Sequence, residues 1–403
     1  AHRNKKITIQ RKCYFNTLGM LCSAGSSPAM VKSTIRARKT TITKSGNFSV
    51  SDLPLGIFRG DLPDVPLIGK QWNSRNNQFA LAALKQIEAD VNDVIARFGA
   101  HRIGVVIGTS TSSIAECEVD IREWVRTKKI TSEYEYSLQE MGATAQFVAK
   151  ILGTKGPCYG VSTACSSGAK SLAAARRLIR SGVCDAVIAG GVDTLCQLTV
   201  QGFSSLEAVS HEVCNPFSRN RNGINIGEGA ALFLVTSEPK GVELLGIGEG
   251  SDAYHISAPD PSGSGAVRTM KLALEDAGIK AEEVDYANLH GTATKLNDRM
   301  EAIAMNTIFD HDILCSSTKP FIGHTLGAAG AIEAGICYLT LESDEDYFLP
   351  IQLWDGERDS DLPEINLVSA EDKLTSPLNY VLSNSFAFGG NNISLILGRI
   401  NEV

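Results

Sequence analysis

The 403-residue sequence has no Cys-x-x-Cys pair among its ten cysteines and no run near the roughly 18 apolar residues that a membrane span needs. It also has no Gly-x-Gly-x-x-Gly loop opening a helix. Each absence removes a class. Thiols spread thinly along a chain of this length fit a reducing compartment better than a disulfide scaffold, so a cytoplasmic location is expected, with no metal site. The first residues, Ala1 to Lys6, are basic, but Thr8, Gln10, Arg11 and Lys12 interrupt the apolar residues that follow, so a signal peptide's apolar region is missing. Gly246-Ile247-Gly248-Glu249-Gly250 has the glycines of a nucleotide loop at the wrong spacing. Charge of one sign is also scarce: 38 basic against 45 acidic residues leave net −7, which argues against a general nucleic-acid binder. What remains, 43% apolar and 21% charged, describes a globular enzyme long enough for two core-building halves.

The most informative stretch is Gly160-Val161-Ser162-Thr163-Ala164-Cys165-Ser166-Ser167-Gly168. Cys158 to Thr163 reads as a strand, and Ala169, Leu172, Ala173, Leu178 and Ile179 recur at helical spacing as far as Arg180. Cys165 therefore sits on a bend between strand and helix. Unpaired N–H groups at a helix start favour thiolate over thiol, and the small Ser166, Ser167 and Gly168 leave room for a carbonyl to approach the sulfur. The commoner role of a single intracellular cysteine is that of a small buried hydrophobe, so the rest of the chain has to support the nucleophile.

In chain order, residues 7–22 read as strand and loop, and the Ser-, Thr-, Lys- and Gly-rich stretch to Asp64 as a surface segment. Its cluster Lys32, Arg36, Arg38, Lys39 and Lys44 reads as a solvated loop, with an acidic carrier protein as the alternative partner. Leu81, Leu84, Ile87, Val91 and Ile95 predict one long amphipathic helix from Asn77 to Phe98. Ile103 to Gly108 is a buried-type strand leading into the small polar run Thr109 to Ser113. Helices are expected at Ile114–Thr127 and Met141–Leu152, a strand at Ala186–Gly191, and a strand-turn-strand unit over 230–248. Beyond it lie a helix at Met270–Ala277, strands at Tyr286–Leu289 and Asp312–Ser316, and an Ala-rich helix from Ala328 to Leu341. The second half thus echoes the first: strand, Gly-containing turn with a reactive residue, small-residue helix.

Three later segments supply the context for Cys165: His290-Gly291-Thr292-Ala293-Thr294, Lys319-Pro320-Phe321-Ile322-Gly323-His324-Thr325-Leu326-Gly327-Ala328-Ala329-Gly330, and Asn384-Ser385-Phe386-Ala387-Phe388-Gly389-Gly390-Asn391. Together with the Cys165 bend they resemble the β-ketoacyl-acyl-carrier-protein synthases, condensing enzymes with a Cys-His-His centre. The resemblance runs from about Ile103 to the C-terminus; before that, only the segment around Leu18-Gly19-Met20 is similar to the family's first strand and loop.

The resemblance implies an α/β thiolase-like fold of two pseudo-repeated βαβ-rich halves, residues 7–244 and 245–403, in a layered α-β-α-β-α core. It implies decarboxylative condensation of an acyl group on Cys165 with malonyl-acyl-carrier-protein, giving a 3-oxoacyl product for fatty-acid or polyene/polyketide-type synthesis. His290 and His324 match the two histidines that act on the malonyl thioester, and Lys319 the lysine that orients the second of them. The backbone N–H groups of Cys165 and Phe388 match the oxyanion hole, Thr292 and Thr294 the hydroxyls that bind pantetheine amides, and Thr111 a position in the floor of the acyl pocket. Asp298 and Glu301 read as a structural pair at the next helix's start and Glu333 as a buried support for the histidine loop. The resemblance implies no bound cofactor beyond the phosphopantetheine of the acyl carrier protein, and either a homodimer or a heterodimer with a homologous subunit, completed by a segment near residues 131–148.

Ser218 to Gly229 departs from the family's pattern at Asn222 and Ile224, and Lys295 stands where the family often has Pro. A chain-length-factor-like partner subunit has the same fold without the nucleophile, so Cys165 with both histidines argues against it. A Cys-His-Asn starter synthase is disfavoured by His324 in its Gly-His-Thr setting, and a cysteine protease by the acyl-transfer motif around Cys165.

Overall fold

Side-chain alternation in the central strands determines how this chain layers. In the computed structural model, which describes residues 11–309, 313–342 and 347–400, Val105 and Ile107 pack into one hydrophobic cluster while Val106 between them faces another. Ile188 and Val187 divide the same way. Successive residues of a strand point to opposite faces, so strands apolar on both faces must lie between two layers of cover.

The first half contributes β1 (Tyr14–Cys22), α1 (Pro28–Arg36), a small hairpin of β2 (Thr43–Ser45) and β3 (Leu53–Leu55), and helices α2 (Arg75–Gln86) and α3 (Glu88–Phe98). It continues with β4 (Ile103–Gly108), α4 (Ile114–Thr127), α5 (Ala143–Leu152), β5 (Cys158–Val161), α6 (Ser167–Arg180), β6 (Ala186–Asp193), α7 (Gln197–Ser205) and β7 (Gly229–Thr236). The second contributes β8 (Val242–Ser251), α8 (Ser264–Ala277), β9 (Tyr286–Asn288), α9 (Lys295–Phe309), β10 (Leu314–Ser316), the short α10 (Lys319–Ile322) and α11 (Ala329–Leu341). It closes with β11 (Asn366–Leu367), β12 (Tyr380–Phe386) and β13 (Asn391–Arg399).

The large sheet runs β5-β4-β6-β7-β1 and then β8-β13-β12-β9-β10-β11. The two parts are joined where Tyr14 and Phe15 of β1 pair with Glu243 and Val242 of β8 and the Leu244 N–H donates to the Cys13 carbonyl. Numbered within each half, β1, β4, β5, β6, β7 and β8, β9, β10, β12, β13 have the same spatial order, 3-2-4-5-1, with the same parallel and antiparallel neighbours. The expected pseudo-repeat is therefore present in the topology. Residues 244 and 245 both lie inside β8.

Helices α6 and α11 fill the middle layer, against β4 and β6 on one side and β12 on the other, and all thirteen residues of α11 are buried. Their small residues are needed there: a Cβ on Gly168 would come 2.8 Å from the Ala331 nitrogen, and one on Gly330 2.8 Å from the Ala169 Cβ. Helices α2 and α5 cover one outer face, α8 and α9 the other, which completes five layers. Among the described residues no helix is long and apolar enough to cross a membrane.

Three expectations change. The long helix from Asn77 to Phe98 is two helices, because Ile87 leaves helical geometry (φ −117°, ψ 10°). Beside the break the Gln86 amide pairs with both the N–H and the C=O of Met20 on β1. The stretch to Asp64 is not merely a surface segment: Ser27 caps α1 by accepting from the Met30 N–H, Pro28 sits in its first turn, and Val31 and Ile35 are buried. Lys32 and Arg36 lie on that helix against the Phe348 ring, not on a loop. Helix α8 begins at Ser264, six residues before Met270. Residue 7 and Asp312, named in the sequence reading, lie outside the described residues.

Candidate active site

Reactive side chains gather where parallel strands end. Cys165 follows β5 and His324 follows β10, the third strands of their halves, while His290 follows β9 directly. Open α/β sheets place their ligand sites at such carboxyl ends. Each turn is held in a tight, unusual backbone: Ala164 (φ 52°), Ala293 (φ 66°) and Leu326 (φ 49°) all adopt the left-handed conformation. An alanine there costs on the order of 1 kcal/mol, so the surroundings must hold it. They do: the Ala164 carbonyl accepts from both the N–H and the hydroxyl of Ser167, and the Ala293 N–H donates to Asp298.

The centre itself is compact. His324 Nε2 lies 3.0 Å from Cys165 Sγ. The His290 ring meets the His324 ring edge-on, centroids 5.4 Å apart at 84°, and Phe386 flanks His290 at 6.2 Å. The sulfur and the nearest nitrogens of both rings lie within 4.8 Å of one another.

Lys319 is the one cation buried against this centre that the sequence singled out. It was expected to orient His324, but its ammonium instead donates to the His290 carbonyl, faces His290 Nδ1 at 3.4 Å, and is ion-paired with Glu333. An ammonium only donates, so His290 Nδ1 is the acceptor and its proton sits on Nε2. Burial, reinforced by Lys319, holds both histidines well below the ordinary imidazole range, so each is neutral at pH 7.

Glu301 and Asp298 do more than start a helix. The Glu301 carboxylate accepts from the His290 and Gly291 N–H groups at 2.8 and 2.7 Å, and Asp298 from the Phe217 and Ala293 N–H groups. Burial pushes these carboxyls up to about 7 and about 6 in spite of those bonds. Together they fix the loop that aims His290.

A cavity of about 710 Å³ opens from Cys165, His290 and His324 to solvent. Thr292 and Thr294, their hydroxyls 2.9 Å apart, line it with Phe388, whose ring packs on Phe203. Asn222 and Lys295, two positions that depart from the family's pattern, line it as well. Thr111 does not. Its N–H and hydroxyl turn toward Asp193 at the end of β6, which removes it from the cavity wall. Nothing in the sequence points to Asp193, which ends β6 without any motif of reactive type around it, and the sequence reading assigned no role to Phe386, which ends β12 inside the Asn384–Asn391 segment.

One expectation reverses. Helix α6 begins at Ser167, two residues past Cys165, and burial dominates over the dipole: the thiol is pushed up to about 12, with Lys319 pulling it down only in part. Raised from its ordinary value, Cys165 is a thiol at pH 7, and each unit of pH increases the small thiolate fraction about tenfold. Iodoacetamide labelling of the Cys165 peptide, followed by mass spectrometry, is therefore expected to accelerate continuously from pH 7 to 9. A plateau below pH 8 would contradict the protonated resting state.

Comparison with known proteins identifies a family for the chain. The family model for the β-ketoacyl synthase N-terminal domain matches residues 75–240, and that for the C-terminal domain residues 242–346. A 3-oxoacyl-[acyl-carrier-protein] synthase 2 of Staphylococcus aureus (strain COL) is 33% identical over 344 residues, covering 81% of this chain and 82% of that protein. One from Coxiella burnetii is 31% identical over 416 residues, covering 97% and 99%. Among solved structures, a ketosynthase in complex with its chain length factor from Xenorhabdus doucetiae matches with a TM-score of 0.90 at 41% identity, over 99% of this chain and 100% of that one. The ishigamide ketosynthase/chain length factor matches with a TM-score of 0.87 at 27% identity, over 97% and 100%.

Proposed function

This chain belongs to the β-ketoacyl synthase family, and from that premise we propose that Cys165, His290, His324 and Lys319 carry its chemistry. The enzyme is a condensing acyltransferase of fatty-acid or polyketide-type synthesis. The observation that carries the assignment of residues is the 3.0 Å contact between a neutral, buried His324 and the Cys165 thiol at the end of the cavity.

In the first step Cys165 Sγ attacks the acyl thioester carbonyl while its proton passes to His324 Nε2. The oxyanion is received by the N–H groups of Cys165 and Phe388; one such donor is worth about 3 kcal/mol in the transition state. Collapse expels the carrier's sulfur, which takes the proton back from His324 Nε2, and leaves the acyl group on Cys165 and His324 neutral. In the second step the malonyl thioester oxygen accepts from the His290 Nε2–H and from His324, which has passed to its Nε2–H tautomer; the carbon–carbon bond to the carboxylate breaks, and CO2 leaves its electron pair in the enolate. The enolate carbon then attacks the Cys165 thioester, forms the new carbon–carbon bond and returns the sulfur as a thiol once protonated. Two neutral imidazoles suit this step, because each can donate without holding a competing positive charge beside Lys319.

Substrates arrive on the phosphopantetheine arm of an acyl carrier protein, with Thr292 and Thr294 hydrogen-bonding the arm's amides. Incubation with a panel of acyl-carrier thioesters, followed by intact mass, is expected to show one acyl adduct that maps to Cys165. An adduct elsewhere overturns the assignment.

The enzyme works as a pair, either with its own copy or with a homologous subunit. Strand β5 ends the sheet, and the apolar Tyr159, Trp124, Val125, Ile130 and Tyr136 are exposed nearby in sequence. An unpaired sheet edge and exposed apolar side chains are each a template for association. Light scattering is expected to give a dimer; a fully active monomer contradicts the pairing. An inactive monomer rescued by a homologous chain selects the heterodimer.

A further inference from the structure

The carboxylate of Asp193 joins two turns that belong to different halves of the molecule. It projects from the end of β6, buried, and gathers donors from both sides. From the turn after β4 come the Thr109 hydroxyl at 2.5 Å, the Ser110 N–H at 3.0 Å and the Ser110 hydroxyl. From the turn that carries His324 comes the Gly327 N–H at 2.6 Å.

The other bonds of the His324 turn lie on its entry side or within the turn, the Gly323 N–H to the Lys319 carbonyl and the Ala328 N–H to the Thr325 carbonyl among them. On its entry side the His324 N–H donates to Asn225 and its carbonyl accepts from Gly227. It then leaves through Leu326, in the left-handed conformation, to Gly327. Space at Gly327 is filled: a Cβ there would stand 2.5 Å from the Ser110 nitrogen and 2.6 Å from the Asp193 carboxylate. Strand β6 backs the contact directly, since a Cβ on Gly191 would come 2.8 Å from the Ala328 Cα.

We propose that Asp193 is a positioning residue that holds the exit of the His324 turn against the β4 turn and so sets the contact between His324 and Cys165. The proposal rests on the role given to His324 above. Asp193 touches neither sulfur nor substrate; it acts through Gly327, three residues beyond the imidazole. A displacement of about 1 Å at a catalytic group costs about 10²-fold in rate, which is the scale on which this restraint matters.

The test is a double-mutant cycle on malonyl-carrier decarboxylation with Asp193→Ala, His324→Ala and the combination, each assayed well below its melting temperature. Asp193→Ala is expected to lower kcat about 10²-fold with KM within about threefold, as for a misplaced rather than an unbound group. The combined variant is expected to lie within about threefold of His324→Ala, because the restraint has nothing left to position. General weakening of the fold would instead add its loss to that of His324→Ala. If Asp193→Ala does not melt cooperatively, Gly327→Ala, which keeps the carboxylate and pushes it aside, replaces it with the same expectations. A wild-type rate in Asp193→Ala or Gly327→Ala, or a combined loss equal to the product of the single losses, overturns the proposal. If His324→Ala itself decarboxylates normally, the reading of His324 fails and this inference with it. If His324→Ala is inactive while the Asp193 variants are not, the inference fails alone.

Discussion

Cys165→Ala is expected to lose acyl transfer by about four orders of magnitude or more while the protein keeps its fold. The sulfur is the only atom in the centre that can hold the acyl group through the condensation. Removing it leaves His324 anchored, because its restraints are backbone bonds to Asn225 and Gly227 that do not involve the thiol. The lost sulfur takes little apolar area with it, about 1 kcal/mol of burial, so thermal melting moves by a few degrees at most. His290, His324 and Lys319 remain in place, so malonyl decarboxylation persists in the variant without a condensation product. Radiolabelled acyl transfer reads the first effect and CO2 release the second. Substantial residual acylation would mean that one of the other nine cysteines carries the chemistry. The structure argues against that: none of the nine lines the catalytic cavity.

How the chain folds was legible wherever a local signal coincided with its tertiary use. The Ala- and Gly-rich runs around Cys165 and His324 read as helices, and their small residues find their use in the tertiary structure: two helices pressed together between the two parts of the sheet leave no room for side chains at Gly168 or Gly330. The break at Ile87 left no such trace. Ile87 is no helix breaker, and the Gln86 amide that pairs with β1 finds its partner 66 residues away. Helix α1 is different, because Ser27 followed by Pro28 is a readable start signal that the surrounding Ser and Lys residues obscured.

The reactive residues were legible because several motif residues surround each of them, and the geometry brings Cys165, His290, His324 and Lys319 together. Their mutual wiring was not. Lys319 serves His290 because α10 places its ammonium under the His290 carbonyl, a relation across 29 residues that spacing does not encode. Thr111 fails as a cavity residue for a similar reason: its polar groups are drawn to Asp193, 82 residues on, at the end of a strand that reads as plain core. The protonation of Cys165 was misjudged because a helix start is visible in sequence and depth of burial is not.

That protonation separates the two histidines, and the separation can be measured. His290→Ala and His324→Ala should each lose malonyl decarboxylation by about 10²- to 10³-fold, since both stabilise charge that exists only once the enolate forms. In His290→Ala the alanine retains the carbonyl that Lys319 holds, and the ion pair between Lys319 and Glu333 needs no imidazole, so the buried charges stay matched. Acylation of Cys165 in that variant is therefore expected within about threefold of wild type at pH 7. His324→Ala removes the base that stands 3.0 Å from a thiol whose proton is tightly held. Its acylation should be slow at pH 7 and recover as pH rises toward 9, because solvent then supplies the thiolate that the imidazole no longer generates. Stopped acylation assays across that range, alongside CO2 release at pH 7, distinguish the two. Equal acylation profiles for the two variants would show that His324 is not the base, and a variant that acylates slowly yet condenses normally once loaded would exchange the roles of the two steps.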